Sequence, residues 1–186
     1  MPNWCQNEVY IKGNAEELKE LLATASKPTP EEPNPVFLMD NLVPMPKELR
    51  DGEGWYDWAI ENWGTKWDLQ QGLEYGETRL IDQSDTTFEM DYSTAWGPNR
   101  IFWLTVSKQF PSLVIDLRYV EESMDFMGRE VIQNGEYLVE QYYEDIPEQA
   151  YRLTGAILDK DGLVDWDIDQ NYNLFDFFPP FNKELV

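Results

Sequence analysis

The chain has 186 residues, 42% of them hydrophobic and 15% aromatic, and carries a formal net charge of −22. That length suits one domain, and that much apolar material closes a core, which excludes global disorder. The acids are spread along the chain, 19 against 9 bases in residues 1–110 and 17 against 5 in residues 111–186. Such a field repels nucleic acid and anionic membranes and favours basic partners; the plainer reading is a protein kept soluble by its charge.

What is missing narrows the chemistry. There is no histidine, so Ser-His-Asp and Cys-His machinery and His-ligated metal centres are excluded. The single Cys5 rules out an internal disulfide and a thiolate zinc site. Neither common glycine-rich phosphate loop occurs. The sequence therefore yields no catalytic set and no cofactor. The opening Met1-Pro2-Asn3-Trp4 lacks a basic region and an apolar signal core, and no stretch has the roughly 18–20 apolar residues of a membrane span. The expectation is a cytoplasmic protein.

In chain order, Cys5, Asn7, Val9 and Ile11 alternate with Gln6, Glu8, Tyr10 and Lys12, which predicts a strand with Cys5 on its more apolar side. Asn14 caps a helix, with Glu17 in the capping-box position and Leu18, Leu21, Leu22 and Ala25 on its buried stripe. Residues 28–54 hold Pro28, Pro30, Pro33, Pro35, Pro44 and Pro46, half of the chain's 12 prolines, so they form no single element. Phe37, Leu38, Met39, Leu42 and Val43 are expected to fold back from this excursion onto the core.

The run from Trp55 to Asp68 follows, with four of the eight tryptophans. A helix is expected over 55–63 and a strand over Lys66–Tyr75. Phe88, Met90 and Tyr92 share one face of a further strand, and Thr94–Pro98 make a turn. Pro98 suits the first position of a helix reaching Gln109, with Phe102, Trp103, Val106 and Phe110 on one arc. Leu113, Ile115, Leu117 and Tyr119 alternate as a strand. Val131–Tyr143 is a hairpin about Asn134-Gly135. A helix over 147–158, a second hairpin at Asp161-Gly162 and an acidic, aromatic tail complete the chain.

That order is α+β: a ferredoxin-like, mainly antiparallel sheet with helices on one face. A Pro/Trp-rich insertion at about 28–65 interrupts a domain spanning 1–143. An extension over 144–186, a hairpin and tail, is expected to pack on the same domain.

Several strings bear a family likeness. Asn3-Trp4-Cys5-x-Asn7, Trp55-Tyr56-x-Trp58, Asn62-Trp63-Gly64-Thr65-Lys66-Trp67-Asp68, Thr94-Ala95-Trp96-x-Pro98 and Tyr119-x-Glu121 to Phe126-x-Gly128 occur in one consistent order. Together they resemble phage and plasmid proteins with a YubB-like ferredoxin-like domain. The chain departs from that pattern at Gly97, where Ser or Pro is expected. The resemblance implies a ferredoxin-like core and a gene carried by a phage, prophage or plasmid. It implies no reaction, and it does not reach residues 144–186.

Two readings of the distinctive strings stand side by side. In one, Trp63, Trp67 and Trp96 floor a pocket that stacks a planar ring, with Thr65, Lys66, Asp68 and Thr94 as polar neighbours. In the other, the tryptophans pin the insertion to the sheet and Lys66 pairs with an acid; clustered aromatics are usually core. Asp165-x-Asp167-x-Asp169, with Asp176 at the twelfth position, has calcium-loop spacing, but Gln170 stands where that loop needs glycine. Glu121, Glu122 and Asp125 are a weak carboxylate set for acid–base or magnesium chemistry.

The leading functional expectation is a non-enzymatic mobile-element accessory protein acting by protein–protein contact in the bacterial host cell. Its acidic surface would mimic nucleic acid and occlude a basic host protein, such as a defence component, with no direct binding to nucleic acid or membrane. The alternatives are a small-ligand or nucleotide-binding module using the tryptophans, and a carboxylate-dependent metal enzyme.

Overall fold

A computed structural model describes residues 3–69, 78–148, 150 and 174–180. Its elements are β1 (Trp4–Lys12), α1 (Ala15–Ala25), α2 (Lys47–Arg50), α3 (Trp55–Asn62), β2 (Arg79–Gln83), β3 (Thr87–Ala95), α4 (Arg100–Gln109), β4 (Val114–Glu121), β5 (Phe126–Gln133) and β6 (Glu136–Tyr143), followed by a 3-10 turn at Leu174–Phe177. The strands form one sheet in the order β2-β3-β1-β4-β5-β6, antiparallel at every pairing. The first four strands, with α1 and α4 as crossovers, have the ferredoxin-like order. The β5–β6 hairpin widens the sheet beside β4.

Strand alternation assigns the two faces. Val9 and Ile11 lie opposite Met90 and Phe88 on one side and Leu117 and Ile115 on the other. These six residues join Leu18 and Leu21 of α1 and Phe102, Trp103 and Val106 of α4 in the main core. Both helices therefore cover the same face. On the reverse face Val120 and Met127 form a smaller cluster with Ile146, Ala150, Leu174, Phe175 and Phe178.

Asn14 does cap α1, its Oδ1 accepting from the N–H groups of Glu16 and Glu17. The expected capping box is absent. The Glu17 carboxylate instead accepts from the Ser112 N–H at 3.0 Å and ties α1 to the start of β4. Pro98 stands outside α4, whose cap is Asn99. The β5–β6 turn has Asn134 and Gly135 at φ 48° and 76°, the geometry of a two-residue hairpin. The expected strand over Lys66–Tyr75 is corrected: Lys66–Leu69 is not strand, because the Asp68 carboxylate gathers three backbone N–H groups and bends the chain. The corresponding strand is β2, at residues 79–83. Residues 70–75, most of the expected 147–158 helix and the hairpin at Asp161-Gly162 lie outside the described residues.

Candidate functional site

The insertion returns to the sheet through residues 54–69. Gly54, at φ 102°, starts α3, and Gly64, at φ 77°, ends the turn after it. A side chain at Gly64 would meet the Pro98 carbonyl at 3.3 Å in a backbone region that L-residues disfavour. Trp63 is 4% exposed. Its indole N–H donates to the Val43 carbonyl at 2.9 Å, and its ring meets Trp58 edge-on at 5.2 Å. Thr65 is fully buried and donates to the Ala95 carbonyl.

Asp68 completes this joint. Its carboxylate accepts from Met39 (2.7 Å), Asp40 (3.0 Å) and Leu69 (2.7 Å), fastening the proline-rich excursion to the end of α3. Burial raises its pKa to about 6, against the lowering effect of the donated N–H groups. Lys66 lies over the Trp67 ring at 4.3 Å, and Trp67 faces Trp4 at 6.1 Å.

Thr94 is buried at the end of β3. It accepts from the Asn7 amide at 2.9 Å and donates to the Gly97 carbonyl at 2.7 Å. Trp96 follows in the left-handed region at φ 72° with its side chain 45% exposed. The structure thus buries Trp63 and Thr65 in the joint with the Asp68 carboxylate taken up by backbone N–H groups, leaves Lys66 and Trp67 half-buried, and exposes Trp96. A groove of about 620 Å³ does exist, but it lies between α1 and the β2–β3 hairpin, lined by Leu18, Leu22, Val36, Leu80 and Phe88, with no tryptophan.

Two polar clusters escaped the sequence reading. The Trp103 indole N–H donates to the Tyr92 hydroxyl, and that hydroxyl donates to Asn99, each at 2.7 Å; the Asn99 amide contacts the Met39 sulfur. This chain connects helix, sheet and insertion. The second cluster surrounds Glu130, fully buried on β5. Glu130 pairs with Arg100, which also donates to Glu140 at 2.7 Å. The Tyr119 hydroxyl donates to Glu130 at 3.2 Å. Burial raises the Glu130 pKa to about 7, and Arg100 opposes the rise. The Tyr119 ring occupies the space that a side chain at residue 128 would need: a Cβ on Gly128 would stand 2.3 Å from it. The spacing of Tyr119 and Gly128 in the family-like strings records this contact. Glu130 carries no sequence signal, because its neighbours come from α4 and β4.

The weaker candidates have local structural partners. The Glu121 carboxylate accepts from the N–H groups of Ser123 and Met124 in the β4–β5 turn. Asp125, at φ 58°, accepts from the Ile146 N–H; Glu122 is half-buried in the same turn. Cys5 is fully buried, and burial pushes its thiol pKa far up. Asp165, Asp167 and Asp169 lie outside the described residues, and Asp176 is exposed in the 3-10 turn. Among the described residues no three metal-ligating side chains converge.

Each described arginine has a carboxylate of the chain itself beside it. Arg50 pairs with Asp40, Arg79 with Asp91, Arg100 with Glu130 and Glu140, and Arg118 and Arg129 with Asp116. Those are all the described arginines. No helix among the described residues is long and apolar enough to cross a membrane.

Comparison with known proteins agrees with this architecture. The crystal structure of a protein api92 from Yersinia pseudotuberculosis is similar at a TM-score of 0.50 and 10% identity, covering 77% of this chain and 98% of that one. At that identity the likeness concerns the fold. Among curated proteins none matches. The profile of the ferredoxin-like domain in Api92-like proteins matches residues 62–160, from the last residue of α3 past the end of β6. The chain belongs to that family.

Proposed function

We propose that this is a non-enzymatic accessory protein of a phage, prophage or plasmid that works by protein–protein contact in the cytoplasm of the bacterial host. Its acidic surface imitates the charge of nucleic acid and occupies a basic site on a host protein, with a nucleic-acid-binding defence component as the favoured target. One observation carries the reading: in a chain of net charge −22 every described arginine lies within 4 Å of one of the chain's own carboxylates. The outward field is therefore anionic, and such fields accelerate and select for cationic partners. The mobile-element setting rests on the resemblance of the Asn62–Asp68 and Thr94–Pro98 strings to phage and plasmid proteins.

The small-ligand alternative has less support, since Trp63 is enclosed by protein atoms and its N–H is satisfied. The test is capture from a bacterial host lysate, identification of the bound protein, and titration of the purified pair. The expected partner is a basic nucleic-acid-binding protein that duplex DNA displaces. A partner that holds DNA and this protein at once would overturn the mimicry, and failure to capture any basic protein would overturn the reading.

A further inference from the structure

β6 closes one side of the sheet, and among the described residues it pairs with β5 alone. From Val139 to Tyr143 it pairs residue for residue with Val131 to Met127, the one bulge falling at Leu138. An edge of this kind offers a row of backbone N–H and C=O groups to an incoming strand. Natural edges are blunted by shortness, charged residues (lysine above all), bulges or proline. The opposite edge, β2, fits that description: it has five residues, begins with Arg79 and is bulged after Leu80. β6 is longer, with eight residues and neither lysine, arginine nor proline, and beyond its own bulge Val139–Tyr143 pair without a break. Its Leu138 and Tyr142 are 55% and 54% exposed.

Charge selects the occupant. Residues 136–145 contain Glu136, Glu140, Glu144 and Asp145 and no base; all four acids are exposed, and Arg100 already offsets Glu140. A second copy would bring a second set of the same acids and no base to this edge, and like charges facing across a ladder destabilise it. An extended segment with Lys or Arg alternating with apolar residues sets its cations along the Glu140 and Tyr142 face of the strand and its apolar side chains along the Val139 and Tyr143 face.

We infer that the β6 edge is a docking strand for a basic, extended segment of a partner protein. This inference rests on the acidic-docking reading above and adds the place on the fold where contact occurs. Main-chain pairing supplies the affinity and the acids choose the sequence.

The test uses the full chain and a fluorescent peptide alternating Lys and Val, with a Lys/Gly peptide of equal charge as the comparison. The Lys/Val peptide is expected to bind more tightly and to slow amide exchange at residues 139–143. Replacing Leu138 and Tyr142 together by Lys should weaken it by about tenfold or more. Replacing Leu80 and Ile81 by Lys on β2 changes the net charge equally and should weaken it by about threefold at most. Circular dichroism checks that both variants fold. Equal weakening by the two variants, or equal binding of the two peptides, overturns the edge assignment and leaves the acidic reading standing. No binding of either peptide at low salt overturns both. Sedimentation showing a dimer that the β6 variant abolishes would assign the edge to a second copy instead.

Discussion

Trp55–Asp68 and Glu136–Asp145 are both aromatic and acidic, yet the fold treats them in opposite ways. In the first, the central ring turns inward: Trp63 is enclosed, and the Asp68 carboxylate is filled by backbone N–H groups. In the second, Glu136, Leu138, Glu140 and Tyr142 stand exposed on an edge strand. The difference comes from chain geometry. The first run bends at Gly64; the second extends along the edge, where Glu140 and Tyr142 meet Arg100 and the Phe126 ring and still stay exposed. Distinctive spelling therefore marks structural constraint here, and plain spelling marks the surface left open.

That contrast breaks most easily at the joint. Trp63→Ala should lower stability by about 3–5 kcal/mol through the cavity and the orphaned Val43 carbonyl. Chemical denaturation measures it, and a loss near zero would mean the joint holds nothing together. Glu130 gives the next effect. Its carboxyl has a folded pKa of about 7 against an ordinary 4.5, so between those values the folded state binds more protons than the unfolded state. Stability should fall as pH rises through that window, by roughly 3 kcal/mol in all. Asp68 acts in the same direction at lower pH, from 3.8 to about 6. Denaturation across pH should show the decline, and Glu130→Gln should remove the part near neutrality while leaving that of Asp68. A decline unchanged in Glu130→Gln would place the titration elsewhere.

Asp68→Asn should cost about 1–3 kcal/mol, because an amide has one acceptor oxygen where two separate N–H directions must be met. At the small end, Trp96 is exposed at positive φ. Trp96→Gly relieves the backbone as it loses the ring, and its effect on stability should stay within about 1 kcal/mol. A larger loss would move Trp96 from the surface into the joint.

The periodicities of Val9–Ile11, Leu18–Leu22, Phe88–Tyr92 and Phe102–Phe110 were enough to read the ferredoxin-like core, because burying one face imposes a period on each element. Asn134-Gly135 located the last hairpin because only particular residues take two positive φ angles. The gap between Asp68 and Thr87 was read less well. Lys66–Leu69 was expected as strand, yet its path follows side-chain bonds from Asp68 to residues nearly thirty positions earlier, which no local pattern records. Glu130 and Arg100 were invisible for the same reason. The openness of β6 depends on sheet order, and a hairpin signal says nothing about which of its strands becomes an edge.

The central claim is that the anionic surface recognises a basic protein in place of nucleic acid. Its most direct measurement is the affinity of the captured partner for this protein from about 50 to about 500 mM salt, with duplex DNA as competitor. The account predicts a steep, continuous loss of affinity with salt and mutual exclusion with DNA. Affinity flat across that range, or a ternary complex with DNA, would contradict it.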